Sequence, residues 1–324
     1  MLVARDGEPL FAKAYGLASK SFAIPNDVDT IFNVGSMNKM FTAVAIAQLA
    51  QRGALSFDAP IKAYLPDYPS EAADKVTIHH LLTHTSGIAD YFNAAYDRVR
   101  FTLRNVDSYL PLFANKPLAF EPGTRWEYSN GGFVVLGSII ERVSGQDYFD
   151  YIHEHITGPA GMVDTAFYDL DRDVPNLAVG YTNLDTRYAP EPMMRPMPGP
   201  RLNNLFMLGV KGSPAGGGYS TVGDLLKFDI ALRRHALLEP DYTATVLTGK
   251  VAREPAPGAE YAYGFFVDRV NGTLVVGHGG ALPGGNAEFD MYLDLGYTVV
   301  VLSNYDPPAA VQVRFKLFEL LTQA

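Results

Sequence analysis

Short apolar runs broken by turn residues occupy both ends of the chain. Leu2 to Arg5 and Leu10 to Tyr15 flank Asp6-Gly7, and Tyr263 to Val270 and Thr273 to Gly277 flank Asn271-Gly272. Asn-Gly tolerates the positive φ angles of a type I′ turn, so the second pair is predicted to be a hairpin. Ala287 to Leu293 and Tyr297 to Asn304 form a third pair, turning near Asp294-Leu295-Gly296. Both termini therefore contribute antiparallel strands.

The middle of the chain carries helical spacing. Ser36 to Arg52 places Met40, Ala43, Val44, Ala47 and Ala50 on one face and stops at Gly53. Val134 to Val143, Tyr148 to His155 and Val222 to Arg233 are further predicted helices, and amphipathic Val311 to Leu321 is expected to lie on the sheet. Ala189 to Arg201, rich in Pro and Met, is predicted to be an irregular loop. The expected fold class is α/β (α+β): an antiparallel sheet built from both termini, flanked by helices, with an inserted mostly helical lobe. Residues 1–60 and 211–324 would form the α/β domain and 61–210 the helical one, with a cleft between them for a small molecule.

Composition narrows the function. The 324 residues are 48% hydrophobic and 19% charged, as in an ordinary soluble globule. A net charge of -9, with no basic run longer than Arg233-Arg234, argues against a nucleic-acid partner. The absence of cysteine excludes disulfides and thiolate catalysis, and fits cytoplasm and periplasm alike. Phe133 to Ile140 and Tyr297 to Leu302, the longest apolar stretches, fall well short of the about 20 residues of a membrane span. No charged-then-apolar leader precedes Leu2, so either there is no export signal or the chain starts after one.

Three constellations offer chemistry. In Gly35-Ser36-Met37-Asn38-Lys39, a helical start puts Ser36 and Lys39 on one face, where a lysine made partly neutral by desolvation takes the serine proton. The helix N-terminus adds free N–H groups for an oxyanion. Tyr128-Ser129-Asn130 precedes a helix; a Tyr128 phenolate stabilised by Lys39 would accept and return the same proton, and Asn130 offers amide donor and acceptor. Gly277-His278-Gly279-Gly280-Ala281 ends a strand whose exposed N–H groups suit half an oxyanion hole, with His278 orienting substrate or tuning Tyr128. Each has a plain alternative: Ser36 as a helix cap, Tyr128 as a core ring, His278 as a surface residue.

Taken together, Ser-x-x-Lys, Tyr-x-Asn and His-x-Gly in this order resemble the serine β-lactamase-like, penicillin-binding superfamily. Leu81-Leu82-Thr83-His84-Thr85-Ser86-Gly87, Gly123-Thr124-Arg125-Trp126-Glu127 and Gly217-Gly218-Tyr219-Ser220-Thr221 are similar to the stretches bordering these motifs in class C β-lactamases, DD-peptidases and family VIII esterases. The resemblance implies Ser36 as acylated nucleophile, Lys39 and Tyr128 as the proton-transfer pair, and Asn130 as a substrate contact. It also implies an oxyanion hole from the N–H groups of Ser36 and Ala281, with Gly280 beside them. Two departures stand out. His278 replaces the lysine that supplies permanent positive charge, and the chain starts inside the first strand, without the leading helix the family packs beside its C-terminal helix.

Other signals are weaker. His80 and His84 have i, i+4 spacing but lack a His-Glu-x-x-His pattern, so no metal is expected, and His153 and His155 are expected to be exposed. The glycine clusters lack phosphate-loop and dinucleotide signatures, so no cofactor is implied, and no Gly-x-Ser-x-Gly elbow occurs. The expected reaction is two-step acyl transfer on a small-molecule ester, amide or lactam. Small-ester hydrolysis ranks first, with Met193, Met194, Met197, Phe206 and Met207 as an apolar wall. The alternatives are a DD-peptidase, D-aminopeptidase or weak β-lactamase, and a non-catalytic sensor domain. Oligomeric state is not readable.

Overall fold

Asn271 and Gly272 adopt φ of 51° and 80°, the paired positive angles that a tight hairpin demands. The computed structural model describes residues 1–185, 195–253 and 258–322. Its main sheet has eight antiparallel strands: β1 (Leu2–Arg5), β2 (Glu8–Ala12), β5 (Val251–Ala252), β6 (Glu260–Tyr261), β7 (Phe266–Val270), β8 (Thr273–Leu282), β9 (Gly285–Tyr292) and β10 (Tyr297–Ser303). The order is β5-β6-β7-β8-β9-β10-β1-β2, so the N-terminal hairpin joins the C-terminal strands, as expected. A separate pair, β3 (Phe32–Gly35) and β4 (Gly218–Ser220), lies against it.

Helix α1 (Asn38–Gln51) is buried on every side except at Gln51. The single apolar face expected from its spacing is thus only part of the picture. Its alanines let α2 (Asn130–Ser144), α3 (Tyr148–Ile152) and the helix Pro240–Leu247 approach closely, and Phe41 meets Phe228 of α4 (Val222–Arg233) edge to face at 5.0 Å. The C-terminal helix α5 (Ala309–Leu321) lays Val313, Leu317, Phe318 and Leu321 on Val275, Tyr292, Val299 and Val301 of the sheet. Residues 61–210 contribute α2, α3, the helices Ala72–Lys75, Ile78–Leu82 and Ala94–Val99, and only two-residue strands among the described residues.

Several boundaries differ from expectation. β2 begins at Glu8 and ends at Ala12, because β1 pairs only that far, and Tyr263 lies in a turn between β6 and β7. α2 starts at Asn130, four residues before Val134, since Ser129 caps it by accepting the Gly132 N–H at 3.0 Å. The expected Tyr148 to His155 helix becomes α3 followed by a π turn over His153–Thr157. His155 is partly buried against Gln146 rather than exposed. Of the expected 189–201 loop, residues 189–194, with Met193 and Met194, lie outside the described residues. Arg195–Pro196 pairs with Leu184–Asp185, while residues 197–201 beyond it are irregular, as expected.

Candidate active site

Gly35 closes β3 at φ 52°, and the turn that follows carries Ser36 into α1. A Cβ at Gly35 would lie 3.1 Å from the Ala281 nitrogen, so glycine allows β3 and β8 to touch backbone to backbone here. Ser36 precedes the helix rather than lying in it. The Lys39 N–H donates to the Ser36 carbonyl at 3.0 Å, and this turn preserves the expected i, i+3 alignment. The N-cap of α1 is Met37, not Ser36, which removes the cap-only alternative.

Lys39 is fully buried. Its Nζ lies 3.3 Å from Ser36 Oγ, 2.7 Å from Asn130 Oδ1 and 2.5 Å from the Ala215 carbonyl oxygen. Burial pushes its pKa down to about 7, against the pull of the Asp90 carboxylate. A neutral amine has two N–H groups and one lone pair. The two acceptors take the hydrogens, and the lone pair is left for the Ser36 hydroxyl proton. The glycine-rich Gly217 to Thr221 stretch explains the Ala215 contact: Gly217 N–H donates to Gly35 O at 3.2 Å, and β4 pairs with β3, holding the preceding loop over Lys39.

Tyr128 shares a hydrogen bond with Ser36, and its ring lies 4.6 Å below Lys39 Nζ. Burial drives the Tyr128 pKa up, the Ser36 bond only partly opposing it, and Asp90 adds to the rise. The expected phenolate is therefore corrected: with Lys39 near 7 and the phenol far above it, the resting proton belongs to Tyr128 and the vacant site to Lys39. Asn130 Oδ1 faces Lys39, while Asp90 Oδ2 accepts the Asn130 N–H at 3.1 Å and its Nδ2–H at 2.7 Å.

β8 runs past the expected end at Gly277 to Leu282 because β9 pairs with it from Val275 to Leu282, whereas β7 pairs with it only as far as Gly277. The strand is thus internal from Val275 to Gly277 and an edge from His278 onward. Asn286 Nδ2 donates to Gly280 O at 3.1 Å from the β9 side. In a trans peptide the next N–H points the opposite way, so the Ala281 N–H faces the open edge beside Ser36. A Cβ on Gly280 would lie 2.0 Å from the Val34 carbonyl oxygen.

His278 is 2% exposed, not a surface residue, and both ring nitrogens bond to protein. Its Nδ1–H donates to Gly279 O at 2.6 Å, so Nε2 accepts the Tyr261 hydroxyl at 3.1 Å. That hydroxyl accepts from His84 Nε2–H at 3.2 Å, and His84 Nδ1 accepts the Ser129 N–H at 3.1 Å. Every donor in the chain has one acceptor, which fixes both tautomers. Desolvation, then the Lys39 charge, pushes His278 down to about 3, and desolvation also holds His84 well below the usual histidine range. His84 adopts φ 60°, and its ring lies tilted against the Tyr128 ring with centroids 4.2 Å apart.

The structure gathers Ser36, Lys39, Tyr128, Asn130, His278, Gly280 and Ala281 in one place. Asp90, Tyr261 and Ala215 were not read from the sequence, since a lone Asp, Tyr or Ala carries no motif of its own. His84 was legible only as part of its phrase. Arg253, near His278, is paired with Asp268 at 2.7 Å and lies over the Phe266 ring. His79 bonds Tyr263 and His80 caps its own helix through Thr77. Of the expected apolar wall, Phe206 is 80% exposed on a segment that Arg100 anchors through the Phe206 carbonyl, with Met207 next to it.

A serine and a buried amine at one helix start, a phenol before another and an open strand edge thus lie together. The profile of the family described as "Beta-lactamase" matches residues 1–322. Esterase EstB of Burkholderia gladioli is 32% identical, covering 94% of this chain and 84% of that protein. Putative penicillin-binding protein PbpX of Bacillus subtilis is 32% identical over 99% of this chain and 74% of its own. The crystal structure of a penicillin-binding protein from Bacillus halodurans superposes with a TM-score of 0.86 at 34% identity, covering 98% of this chain and 94% of that one. The chain belongs to the β-lactamase family, as a β-lactamase-fold serine hydrolase. No helix among the described residues is long and apolar enough to cross a membrane.

Proposed function

We propose that the protein is a carboxylesterase that acylates Ser36 with small esters carrying no free carboxylate next to the scissile bond. The observation that carries this reading is His278: neutral above about pH 3, with both nitrogens bonded to protein, it has no charge or donor left to grip an anionic substrate. The similarity to an esterase supports the same choice.

In this reading Ser36 Oγ attacks the ester carbonyl as its proton passes to the neutral Lys39 amine. The N–H groups of Ser36 and Ala281 receive the oxyanion. Lys39 returns the proton through the Tyr128 hydroxyl to the leaving alkoxide. Water then follows the reverse route and releases the acid. Asn130 keeps Lys39 in register and has one amide hydrogen left for substrate. Residues 1–60 with 211–324 act as the α/β domain carrying Ser36, Lys39, His278, Gly280 and Ala281, and 61–210 as the helical one carrying Tyr128 and Asn130.

Turnover of p-nitrophenyl butyrate, nitrocefin and a D-Ala-D-Ala peptide tests the substrate class. Ester hydrolysis well above the other two, lost in Ser36→Ala, is the expected result. Rapid nitrocefin or peptide cleavage without ester turnover would transfer the assignment to a lactam or peptide enzyme. Failure of a serine-directed phosphonate to label Ser36 would favour a sensor domain.

A further inference from the structure

Asn130 holds Lys39, yet its amide has two faces, and only one puts oxygen toward the amine. The choice is made by Asp90, three residues after Gly87. Asp90 Oδ2 accepts both the Asn130 backbone N–H and the Nδ2–H, and its Oδ1 accepts the Phe92 N–H at 3.1 Å. The carboxylate is thus held at both oxygens and in turn fixes both the start of α2 and the rotation of the Asn130 amide. We propose that Asp90 is a positioning residue of the acyl-transfer site, turning the Asn130 oxygen onto Lys39 and setting a negative charge behind the Lys39–Asn130 hydrogen bond. The inference rests on Lys39 as the base, as read above.

The titratable and charged groups around Lys39 are Asp90, Tyr128, His84 and His278. The last three are neutral through the working range, so Asp90 supplies the one full charge of this set that acts on the amine. It opposes the desolvation of Lys39 and keeps the base in a useful range rather than letting it lose its proton affinity altogether. His84 and His278 act the other way only where they carry charge.

Asp90→Asn separates the two roles, because an amide oxygen still accepts from Asn130 but the charge is gone. The test is the pH profile of Ser36 acylation, measured on the whole chain with p-nitrophenyl butyrate and with the rate of phosphonate labelling. In Asp90→Asn the inflection moves to lower pH by about one unit or more. Asp90→Ser, smaller and also neutral, moves it in the same direction, and Asp90→Ala in addition lowers kcat by about a hundredfold through the loosened Asn130. A folded neutral variant that keeps the wild-type inflection overturns the proposal, since a merely structural Asp90 would lower the rate at every pH and leave the inflection in place. Phosphonate labelling needs no ester turnover, so an acid shift seen there supports Asp90 even if the ester assignment fails.

Discussion

At Lys39 burial decides the protonation state of the amine, and two acceptors and one donor decide where its lone pair points. Asn130 Oδ1 and Ala215 O leave the amine one free direction, and Ser36 Oγ occupies it. Because burial lowers the Lys39 pKa to about 7, the cation dominates below that value and the neutral base above it. Acylation is therefore expected to rise with pH through an inflection near 7, as read by burst kinetics. A flat profile from about pH 5 to 9 would remove Lys39 as the base. Lys39→Arg, cationic throughout, is expected to lose about a thousandfold in kcat. Ser36 and Lys39 were legible in the sequence because three-residue spacing on a helical turn is a local property. The protonation states were not, because they depend on Asp90, Tyr128 and burial, which the fold brings from distant segments.

The strands around Ser36 act as a pair of backbones held in contact. Gly35 and Gly280 sit where β3 and β8 cross, and the Gly280 position has carbonyl backbone, not a flexible side chain, in the way of any Cβ. Gly280→Ala is thus expected to push β8 away from β3 and displace the Ala281 N–H from the oxyanion. A loss of about a hundredfold or more in kcat follows, together with about 1–3 kcal/mol of stability, checked by ester turnover and urea unfolding. Wild-type kcat in this variant would place the oxyanion elsewhere. The glycines were visible in the sequence, but not the run of β8 to Leu282. The ladder continues because β9 supplies partners, and a partner strand is not a local signal. The same reason hid the buried state of His278: its Gly-rich neighbourhood suggests exposure until Tyr261 and Phe266 are packed over it, the latter ring at 4.5 Å.

Across the whole molecule the C-terminal helix is tied to the sheet by charge as well as by apolar packing. Arg314 of α5 bonds both oxygens of Asp290, which is 5% exposed, and lies 3.7 Å from Glu288. Burial raises the Glu288 pKa to about 7, Arg314 only partly offsetting it. A carboxyl whose folded pKa is raised contributes stability that is present below its unfolded pKa and is lost as pH rises through about 7. Arg314→Met leaves both carboxylates without their cation and is expected to cost about 3 kcal/mol at pH 8 and less at pH 5, where they protonate in place. Thermal melts at the two pH values check this; an equal loss at both would refute it. The sequence by itself determined the hairpins, the main helices, the fold class and the Ser36, Lys39 and Tyr128 motifs, because hydrophobic period, turn chemistry and motif spacing are properties of neighbouring residues. Only the tertiary structure decided that His278 is a neutral, doubly bonded member of a buried relay, that Tyr128 keeps its proton, and that Asp90 stands behind Asn130. Charge, burial and hydrogen-bond partnership depend on what comes together in space, and here those partners lie far apart in the chain.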